Sequence, residues 1–404
     1  MEFDELKTTS CVARAALAVC SGLLLLQGCS PQANVASSQP SISNPYTDLE
    51  REFDALVAEN DVVTAGAAII TDGHVAWTGN FGEQAPGIMA SERTLYNVGS
   101  ITKTVAAETI LRLVSDGTLS LDASMSPVWV DPDLQDDNRH ELLTPRVALT
   151  HSTGFPNWRY FTKNGKLAFN ADPGTSFTYS GEGYEYLATY SEKLTDQKFE
   201  ALVQEHVFDP IGIENASYSI DKAYFNNIAQ AKAPDGSFPG HYCYPDNGYC
   251  RSEGSSTPAD DLVISVNDFA LFLISVMNSD GYDKSVTADR DTVHVKKAEA
   301  NNTILCDSTK YAQCPIAQGY GLGWEVLDFG DRQIVSHGGS DWHELALAYF
   351  DTQSKDGVII FLNAPSNDAL KVMPKAISLL DADSPMIELY QRWLRQAEAA
   401  ADPD

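Results

Sequence analysis

The amino-acid sequence predicts an α+β fold in which helices flank an antiparallel sheet (an α/β/α sandwich) and a mostly helical lobe interrupts that sheet. Three observations support this prediction. Strand patterns occur in both the first and the last part of the region 46–382, and helix patterns flank them. Residues 117–260 carry turn and helix patterns instead. We therefore expect one folded unit with two lobes.

The first predicted elements are a helix and a β-hairpin. Residues 48–59 place apolar side chains at helical spacing, as an amphipathic helix does. Residues 65–71 and 74–81 are strand-like runs, and the Asp72-Gly73 pair between them is typical of a tight turn. Residues 103–116 predict a second helix, because apolar residues again recur at helical spacing and a glycine follows.

The last part of the chain predicts four strands and two helices. The strands are expected at 323–327, 333–336, 345–350 and 358–362, and the first of the helices at 369–380. The terminal region 383–404 is predicted to be a helix and a tail. We expect its amphipathic segment, which carries Arg392 and Arg395, to pack on the main body rather than to bind a partner or a membrane surface, since acidic neighbours would oppose anionic lipid.

Two segments of the chain have the pattern Ser-x-x-Lys, and their surroundings differ. A serine hydroxyl is a poor nucleophile at neutral pH, and a lysine three residues later on a helix lies on the same side, where it can accept the proton. Ser100 and Lys103 stand at the start of a predicted helix, where unpaired N–H groups and the helix dipole favour a developing oxyanion. Ser219 and Lys222 follow a turn-rich stretch, which we interpret as a solvated loop. Taken alone, the Ser100 segment would be better explained as a helix cap beside a surface lysine.

Further segments follow the Ser100 helix in a fixed order. They are Asp116-Gly117-Thr118-Leu119-Ser120-Leu121-Asp122, Leu149-Thr150-His151-Ser152-Thr153-Gly154-Phe155-Pro156, Pro173-Gly174-Thr175-Ser176-Phe177-Thr178-Tyr179-Ser180-Gly181, Gly319-Tyr320-Gly321-Leu322-Gly323-Trp324 and His337-Gly338-Gly339-Ser340. Their order resembles the class C β-lactamase and penicillin-recognising serine hydrolase family, which includes esterases and D-amino-acid-specific peptidases. The resemblance covers most of the chain. It implies a serine β-lactamase/transpeptidase-like fold with the active site between the sheet and the helical lobe.

The resemblance implies a role for three side chains. Ser100 would be the acylated nucleophile, and Lys103 would help to remove its proton. Tyr179 would take the place of the family's active-site tyrosine, which protonates the leaving group and later activates water. No catalytic histidine is required in this arrangement.

The same resemblance assigns the segment from residue 337 to residue 340 to substrate binding. His337 takes the first position of the family's Lys-Thr-Gly element, and Gly338 and Gly339 complete it. The backbone N–H of Ser340 would join that of Ser100 in an oxyanion hole. Two preformed donors would stabilise a tetrahedral intermediate, and losing one typically lowers the rate about 100-fold or more.

Two positions depart from the β-lactamase pattern. Gly181 stands where β-lactamases of this class carry an asparagine that contacts the substrate amide. His337 replaces a lysine, and a neutral imidazole is a weaker anchor for a penicillin carboxylate than an ammonium. We therefore expect hydrolysis of an ester, an amide or a D-amino-acid peptide. A true β-lactamase or D,D-peptidase, and a non-catalytic binding protein that retains the fold, are the alternatives.

Other kinds of site have less support in the sequence. No Gly-x-Ser-x-Gly segment occurs, and His151, which could serve a histidine-based triad, lies in a segment where orienting a loop is the expected role. His343 is the other histidine considered for a triad. Neither His-Glu-x-x-His nor Cys-x-x-Cys occurs, so we expect neither a metal ion nor a cofactor. The net charge of −29 excludes nucleic acid as a partner and leaves a small molecule or a peptide as the expected substrate.

The beginning of the chain predicts export and a lipid anchor. A mostly apolar run from Ala15 to Leu26 is too short to span a membrane comfortably but suits a signal peptide over residues 1–28. Leu26-Gln27-Gly28-Cys29 resembles a bacterial lipobox, which implies lipid attachment at Cys29; a plain secretory peptide is the alternative. Residues 29–45, which lack an apolar period, predict a flexible tether. The expected location is the periplasmic side of the outer membrane.

Four further cysteines agree with an oxidising compartment. Cys243 and Cys250 are close in sequence, as are Cys306 and Cys314, so two short disulfides are expected within these pairs. Other connectivities, reduced thiols and a metal site are the alternatives.

Overall fold

A nine-stranded antiparallel sheet organises the protein in a computed structural model that describes residues 45–233, 235–297, 303–306 and 314–401. The predicted signal peptide, Cys29 and all of the tether except residue 45 lie outside the described residues. Within the described residues, the strands are β1 (Thr64–Thr71), β2 (His74–Ala85), β3 (Ile88–Met89), β4 (Tyr96–Asn97), β5 (Ala216–Ser217), β6 (Cys243–Tyr244), β7 (Tyr249–Cys250), β8 (Val263–Ile264), β9 (Val295–Lys296), β10 (Ala317–Tyr320), β11 (Glu325–Asp328), β12 (Gln333–Ser340), β13 (Glu344–Asp351) and β14 (Gly357–Asn363).

The strand order of the large sheet brings an early and a late part of the described chain together. It runs β3-β2-β1-β14-β13-β12-β11-β10-β9, so that the first hairpin pairs with the last strand. Two small sheets, β4-β8-β5 and β6-β7, lie outside it. The predicted hairpin is present, and its Asp72 and Gly73 have φ angles of 50° and 73°, as a tight turn between twisted strands requires.

The described helices lie before, within and after the strands. They are α1 (Thr47–Glu59), α2 (Thr102–Ser115), α3 (Pro145–Leu149), α4 (Gly181–Thr195), α5 (Phe199–Val203), α6 (Asp209–Ile211), α7 (Val266–Asn278), α8 (Lys284–Arg290), α9 (Ser366–Leu380) and α10 (Met386–Ala401). The predicted lobe at 117–260 contains α3 to α6, joined by 3-10 turns, irregular loops and, between α5 and α6, a π-helical turn at Gln204–Phe208. The amphipathic C-terminal segment forms α10, and its Leu389 and Tyr390 pack in the core beside α9.

Two apolar cores lie on opposite faces of the sheet, because successive side chains of a strand point to opposite sides. On β13, Ala346, Ala348 and Phe350 belong to one core, and Leu345 and Leu347 to the other. The first core also contains side chains of α2, α4 and α7, and the second contains side chains of α1, α9 and α10. Helices therefore cover both faces, which confirms the predicted α/β/α sandwich.

A buried charged group fixes α2 against its neighbours. Glu108 is fully buried and pairs with Arg112 on the same helix at 2.9 Å. It also accepts the indole N–H of Trp324 at 3.1 Å. A buried carboxylate is tolerated only with such partners, so these contacts restrict how α2 can shift.

The four cysteines outside the predicted signal segment and Cys29 form the two expected disulfides. Cys243 is bonded to Cys250 and Cys306 to Cys314. The first bond joins β6 to β7 across the small hairpin. In the part of the chain that the structure describes, no helix is both long and apolar enough to cross a membrane.

Candidate active site

Ser100 lies in a 3-10 turn, Gly99–Ile101, that leads directly into α2. Gly99 has a φ of 50°, which is favourable for glycine, and its N–H donates to the side-chain oxygen of Asn97 at 3.0 Å. Ser100 is half-buried, so its hydroxyl can meet a substrate. The tight turn, rather than the first turn of the α-helix itself, presents the candidate nucleophile.

Lys103 lies beneath Ser100 and is only 1% exposed. Its Nζ is 3.0 Å from the Ser100 hydroxyl oxygen and donates to the carbonyl oxygen of Ala259 at 2.8 Å. Burial lowers the pKa of Lys103 to about 8, against the opposing effect of the carboxylates of Asp260 and Glu185. A usable fraction of the side chain is therefore a neutral amine near pH 8, which can accept a proton from Ser100.

Tyr179 completes a trio of side chains with Ser100 and Lys103. It is hydrogen-bonded to Ser100, and its ring centroid lies 4.9 Å from the Nζ of Lys103. Burial raises the pKa of Tyr179 well above its ordinary value, although the hydrogen bond to Ser100 opposes this shift. The phenol therefore keeps its proton in the resting protein, which leaves Lys103 as the base and Tyr179 as a proton donor.

His151 holds the segment that carries Tyr179. Its Nδ1 accepts the backbone N–H of Ser180 at 3.1 Å, and its ring lies 4.2 Å from that of Tyr179, centroid to centroid. Burial lowers the pKa of His151 well below its ordinary value, so the ring is neutral. This geometry agrees with the expected role in orienting a loop. His343, the other histidine considered for a triad, lies beside Glu344, with 2.9 Å between its Nδ1 and a carboxylate oxygen.

The end of β12 touches the turn that carries Ser100. A Cβ atom on Gly339 would lie 2.0 Å from the carbonyl oxygen of Val98, so only glycine fits there. A Cβ atom on Gly99 would lie 3.1 Å from the backbone nitrogen of Ser340. Ser340 is exposed, and within the described residues no backbone carbonyl accepts the Ser100 N–H. The two predicted oxyanion-hole donors thus belong to adjoining backbone segments.

His337 lies on β12 but is turned away from solvent. It is 2% exposed, and its Nε2 is 2.6 Å from the hydroxyl oxygen of Tyr320. Its Nδ1 is 2.6 Å from the carbonyl oxygen of Gly338, and burial lowers its pKa to about 3. Its contacts in the structure are with Tyr320 and its own strand, and its expected role in substrate binding stays a prediction. A neutral ring offers no cation to a carboxylate.

The indole ring of Trp158 occupies the space that a side chain at position 181 would need. A Cβ atom on Gly181 would lie 2.5 Å from the indole ring of Trp158. The backbone N–H of Gly181 donates to the side-chain oxygen of Asn157 at 2.9 Å. An asparagine at position 181 would therefore require Trp158 to move, and the backbone of Gly181 already has a partner.

Several neighbours of the candidate site residues were not among the sequence candidates. They are Trp158 beside Gly181, Ala259 and Asp260 beside Lys103, Tyr320 beside His337, and Asp341, which follows Ser340. Asp341 could have been found because it directly follows Ser340, and Tyr320 because it lies in one of the ordered segments. Asp260 has no such signal, since only the fold brings it beside Lys103.

The second Ser-x-x-Lys segment has no comparable surroundings. Ser219 lies in a loop, and Lys222 begins a short 3-10 turn. Lys222 is 65% exposed and pairs with Glu253 at 2.6 Å. The loop is solvated at Lys222, but Ser219 is half-buried between the buried side chains of Tyr218 and Ile220, so the interpretation as a solvated loop holds only in part. Among the described residues, no cluster of three or more His, Cys, Asp or Glu side chains could hold a metal ion.

Together, the contacts around Ser100 describe a serine nucleophile with a lysine base. The Lys103 amine can take the Ser100 proton, and the resulting alkoxide can attack a carbonyl carbon. The N–H groups of Ser100 and Ser340 can stabilise the oxyanion, and the Tyr179 phenol can protonate the leaving group. Such a site can transfer an acyl group first to Ser100 and then to water.

The chain belongs to the Beta-lactamase family of serine hydrolases, whose family model matches residues 49–382. Among curated relatives, it is 24% identical over 197 residues to Penicillin-binding protein 4 of Amycolatopsis lactamdurans, covering 45% of this chain and 51% of that protein. It is 27% identical over 201 residues to Esterase EstB of Burkholderia gladioli, covering 42% and 50% respectively. Each alignment thus spans about half of the relative's length.

Solved structures share the fold. The octameric penicillin-binding protein homologue from Pyrococcus abyssi superposes with a TM-score of 0.67 at 22% identity, covering 88% of this chain and 81% of that one. The predicted family and fold class are therefore confirmed. The names of the relatives include both a penicillin-binding protein and an esterase.

Proposed function

We propose that this protein is an exported, lipid-anchored serine hydrolase that forms an acyl-enzyme at Ser100 with an ester, an amide or a D-amino-acid peptide. The observation that carries the proposal is the 3.0 Å contact between the Ser100 hydroxyl and the Nζ of Lys103. The lowered pKa of Lys103, about 8, supports the same role, because the neutral amine is the form that accepts a proton.

Two features favour esters or peptides over β-lactams. Trp158 fills the space beside Gly181, so no side chain at that position is available to bind a substrate amide. His337 is buried and neutral, so it supplies no positive charge for the carboxylate of a penicillin.

The proposed location rests on the sequence before residue 46. The lipobox-like segment before Cys29 supports anchoring to the periplasmic side of the outer membrane, with the tether 29–45 spacing the enzyme from the lipid. The membrane would be a partner through that anchor alone. The two disulfides are consistent with an oxidising compartment. The net charge of −29 makes nucleic acid an unsuitable partner.

Substrate panels applied to the full chain and to Ser100→Ala test the proposal. The panel contains short nitrophenyl esters, D-alanyl peptides and a fluorescent penicillin, and the readouts are turnover and the mass of any protein adduct. We expect Ser100-dependent turnover of esters or peptides with an acyl adduct on Ser100. Rapid turnover of the penicillin alone would favour the β-lactamase alternative. An absence of turnover and of adducts across the panel would favour a binding protein.

A further inference from the structure

The carbonyl oxygen that binds the Lys103 amine belongs to a loop residue whose own position is fixed by a hydrogen bond. The Nζ of Lys103 donates to the carbonyl oxygen of Ala259 at 2.8 Å and lies 3.0 Å from the Ser100 hydroxyl oxygen. The backbone N–H of Ala259 donates to the hydroxyl oxygen of Thr257 at 3.2 Å. Thr257 is 5% exposed, and Ala259 is fully buried. The direction of the lysine amine therefore depends on where Thr257 holds Ala259.

A carboxylate on α4 holds Thr257 in turn. The Thr257 hydroxyl donates to the Oε1 atom of Glu185. A hydroxyl group has a single proton, so this bond leaves the lone pairs of the Thr257 oxygen to accept the N–H of Ala259. Glu185, Thr257 and Ala259 thus form a hydrogen-bonded series, and the series ends on the amine of Lys103.

Other hydrogen bonds hold the two ends of the same loop. The N–H of Thr257 donates to a carboxylate oxygen of Asp261 at 2.9 Å. The N–H of Leu262 donates to the hydroxyl of Thr102, on α2, at 3.1 Å. Loss of the carboxylate on α4 should therefore displace Ala259 within a loop that stays attached at both ends.

Glu185 occupies a place that is unfavourable for a carboxylate. The residue is half-buried, and burial raises the pKa of its side chain to about 7, although the hydrogen bond from Thr257 opposes this shift. A buried charge costs stability unless its partners compensate for the lost water. An apolar side chain would avoid this cost, which indicates that the carboxylate serves the site rather than the packing of α4.

Several charged or titratable groups act on Glu185 or respond to it. They lie on α4 and on the segments around it, and they are Glu182, Arg159, Arg251, Asp261, Tyr218 and Lys103. An ionised Glu185 favours the charged form of Lys103. A shifted pH profile alone would therefore not separate an electrostatic role of Glu185 from a positioning role. The rate at high pH, where Lys103 is neutral, does separate them.

We propose that Glu185 is a positioning residue of this site, which keeps the Lys103 amine oriented toward Ser100. It does so by holding Thr257 and, through Thr257, the carbonyl oxygen of Ala259. The inference rests on the proposed serine hydrolase function and adds a residue to its machinery. A displaced carbonyl turns the amine away from the serine proton, and small displacements of a reacting group lower the rate of the chemical step.

Steady-state kinetics of variants of the full chain test this role. The substrate is 4-nitrophenyl butyrate, or a D-alanyl peptide if only the peptide is hydrolysed. Both kcat and KM are measured on either side of the Lys103 pKa of about 8 and corrected for spontaneous hydrolysis. The compared quantity is the limiting kcat at high pH, because Lys103 is neutral there in every variant and any change in its pKa cancels.

Two substitutions of Glu185 separate its hydrogen bond from its charge. Glu185→Leu removes the acceptor of the Thr257 hydroxyl, so the limiting kcat should fall about tenfold with little change in KM. Glu185→Gln keeps an oxygen that can accept the same hydrogen bond and should retain most of the limiting kcat. Both variants should move the midpoint of the pH profile to lower pH, because both remove the negative charge.

Substitutions of Thr257 test the other member of the series. Thr257→Val removes the hydroxyl but keeps the size of the side chain, and it should lower the limiting kcat by the same factor as Glu185→Leu. Thr257→Ser should restore most of the loss. Since the two side chains act in series, the double variant Glu185→Leu/Thr257→Val should lose no more than either single variant.

Glu192→Leu is the matched control. Glu192 lies farther along α4, is also half-buried, and accepts the backbone N–H of Phe199 at 3.0 Å. Its removal deletes a comparable hydrogen bond of the same helix away from Lys103. We expect the limiting kcat of Glu192→Leu to equal that of the unmodified protein.

Four outcomes would overturn the inference: an unchanged limiting kcat in Glu185→Leu, an equal loss in Glu185→Gln, an equal loss in Glu192→Leu, and losses that add in the double variant. If Glu185→Leu does not fold, the Thr257 variants decide. A loss in Thr257→Val that Thr257→Ser restores supports the role, and equal rates contradict it. Absence of Ser100-dependent turnover in the unmodified protein contradicts the proposed function instead, whereas turnover that ignores every change at Glu185 and Thr257 contradicts only the positioning role.

Discussion

Two segments of this chain have the same pattern, Ser-x-x-Lys, and opposite environments. Lys103 is 1% exposed, and its Nζ lies 3.0 Å from the Ser100 hydroxyl. Lys222 is 65% exposed and pairs with Glu253, while Ser219 lies in a loop. Burial lowers the pKa of Lys103 to about 8. The difference teaches that the pattern supplies the atoms of a nucleophile and a base, and that burial is what keeps enough of the lysine in its neutral form to accept a proton.

Removing the hydroxyl groups of Ser100 and of Ser219 should produce the largest difference in rate between the two Ser-x-x-Lys segments. Ser100→Ala should lower kcat/KM by about 10⁴-fold or more, because the acyl-enzyme cannot form. Ser219→Ala should leave the rate unchanged. Steady-state rates with the preferred ester and intact-protein mass spectrometry measure both effects, and turnover retained by Ser100→Ala would disprove the mechanism.

Replacing Lys103 and replacing Lys222 should have almost equally different effects on kcat. Lys103→Met removes the proton acceptor while keeping an unbranched, apolar side chain in a buried place, and we expect a loss of about 10³-fold in kcat. Lys222→Met should have no effect on kcat. Thermal melts of both variants control for folding. Equal rates for Lys103→Met and the unmodified protein would mean that another group removes the proton.

We expect a smaller loss of kcat when the phenol hydroxyl of Tyr179 is removed. Tyr179→Phe removes the proton donor but keeps the ring that packs on His151, so kcat should fall about 100-fold. The loss should be greatest for substrates with poor leaving groups, such as alkyl esters, and smallest for nitrophenyl esters. A loss that does not depend on the leaving group would contradict a role in protonating it.

The smallest effect concerns the pH dependence of the lysine. Since the neutral amine is active, kcat/KM should rise with pH through about 8, the pKa of Lys103. The Glu185 carboxylate favours the charged form, so Glu185→Gln should move this rise to lower pH, by roughly half a unit. Glu253→Gln, beside the exposed Lys222, should leave the profile in place. A shift to higher pH in Glu185→Gln would contradict the assignment of the rise to Lys103.

Local patterns predicted much of the fold, and the exceptions have physical causes. The Asp72-Gly73 turn was found because the hairpin needs its two positive φ angles. The strand expected at 333–336 continues to Ser340, because the glycines at 338 and 339 permit close backbone contact instead of forming a corner. The strand expected from residue 323 begins at Glu325, since Gly323 has a φ of 86°.

The site residues that lie in sequence segments with the family's order could be predicted. The features of the site that depend on tertiary contacts could not. Ser100, Lys103 and Tyr179 are brought together by the structure as their order in the family suggested. The inward orientation of His337 depends on Tyr320, which lies on another strand. The carboxylate of Asp260 reaches Lys103 only because the chain folds back on α2, and no local pattern encodes that approach.

The contact between Gly339 and Val98 has a consequence for when the protein becomes active. The turn of the nucleophile and the strand with its proposed second oxyanion donor are far apart in the sequence, and their backbones meet with no room for a side chain. A chain that has been synthesised only as far as α2 contains Ser100 and Lys103 but has no oxyanion hole. Long-range pairing of this kind forms late in folding. The proposed hydrolytic activity would therefore require β12 to be in place against the Ser100 turn.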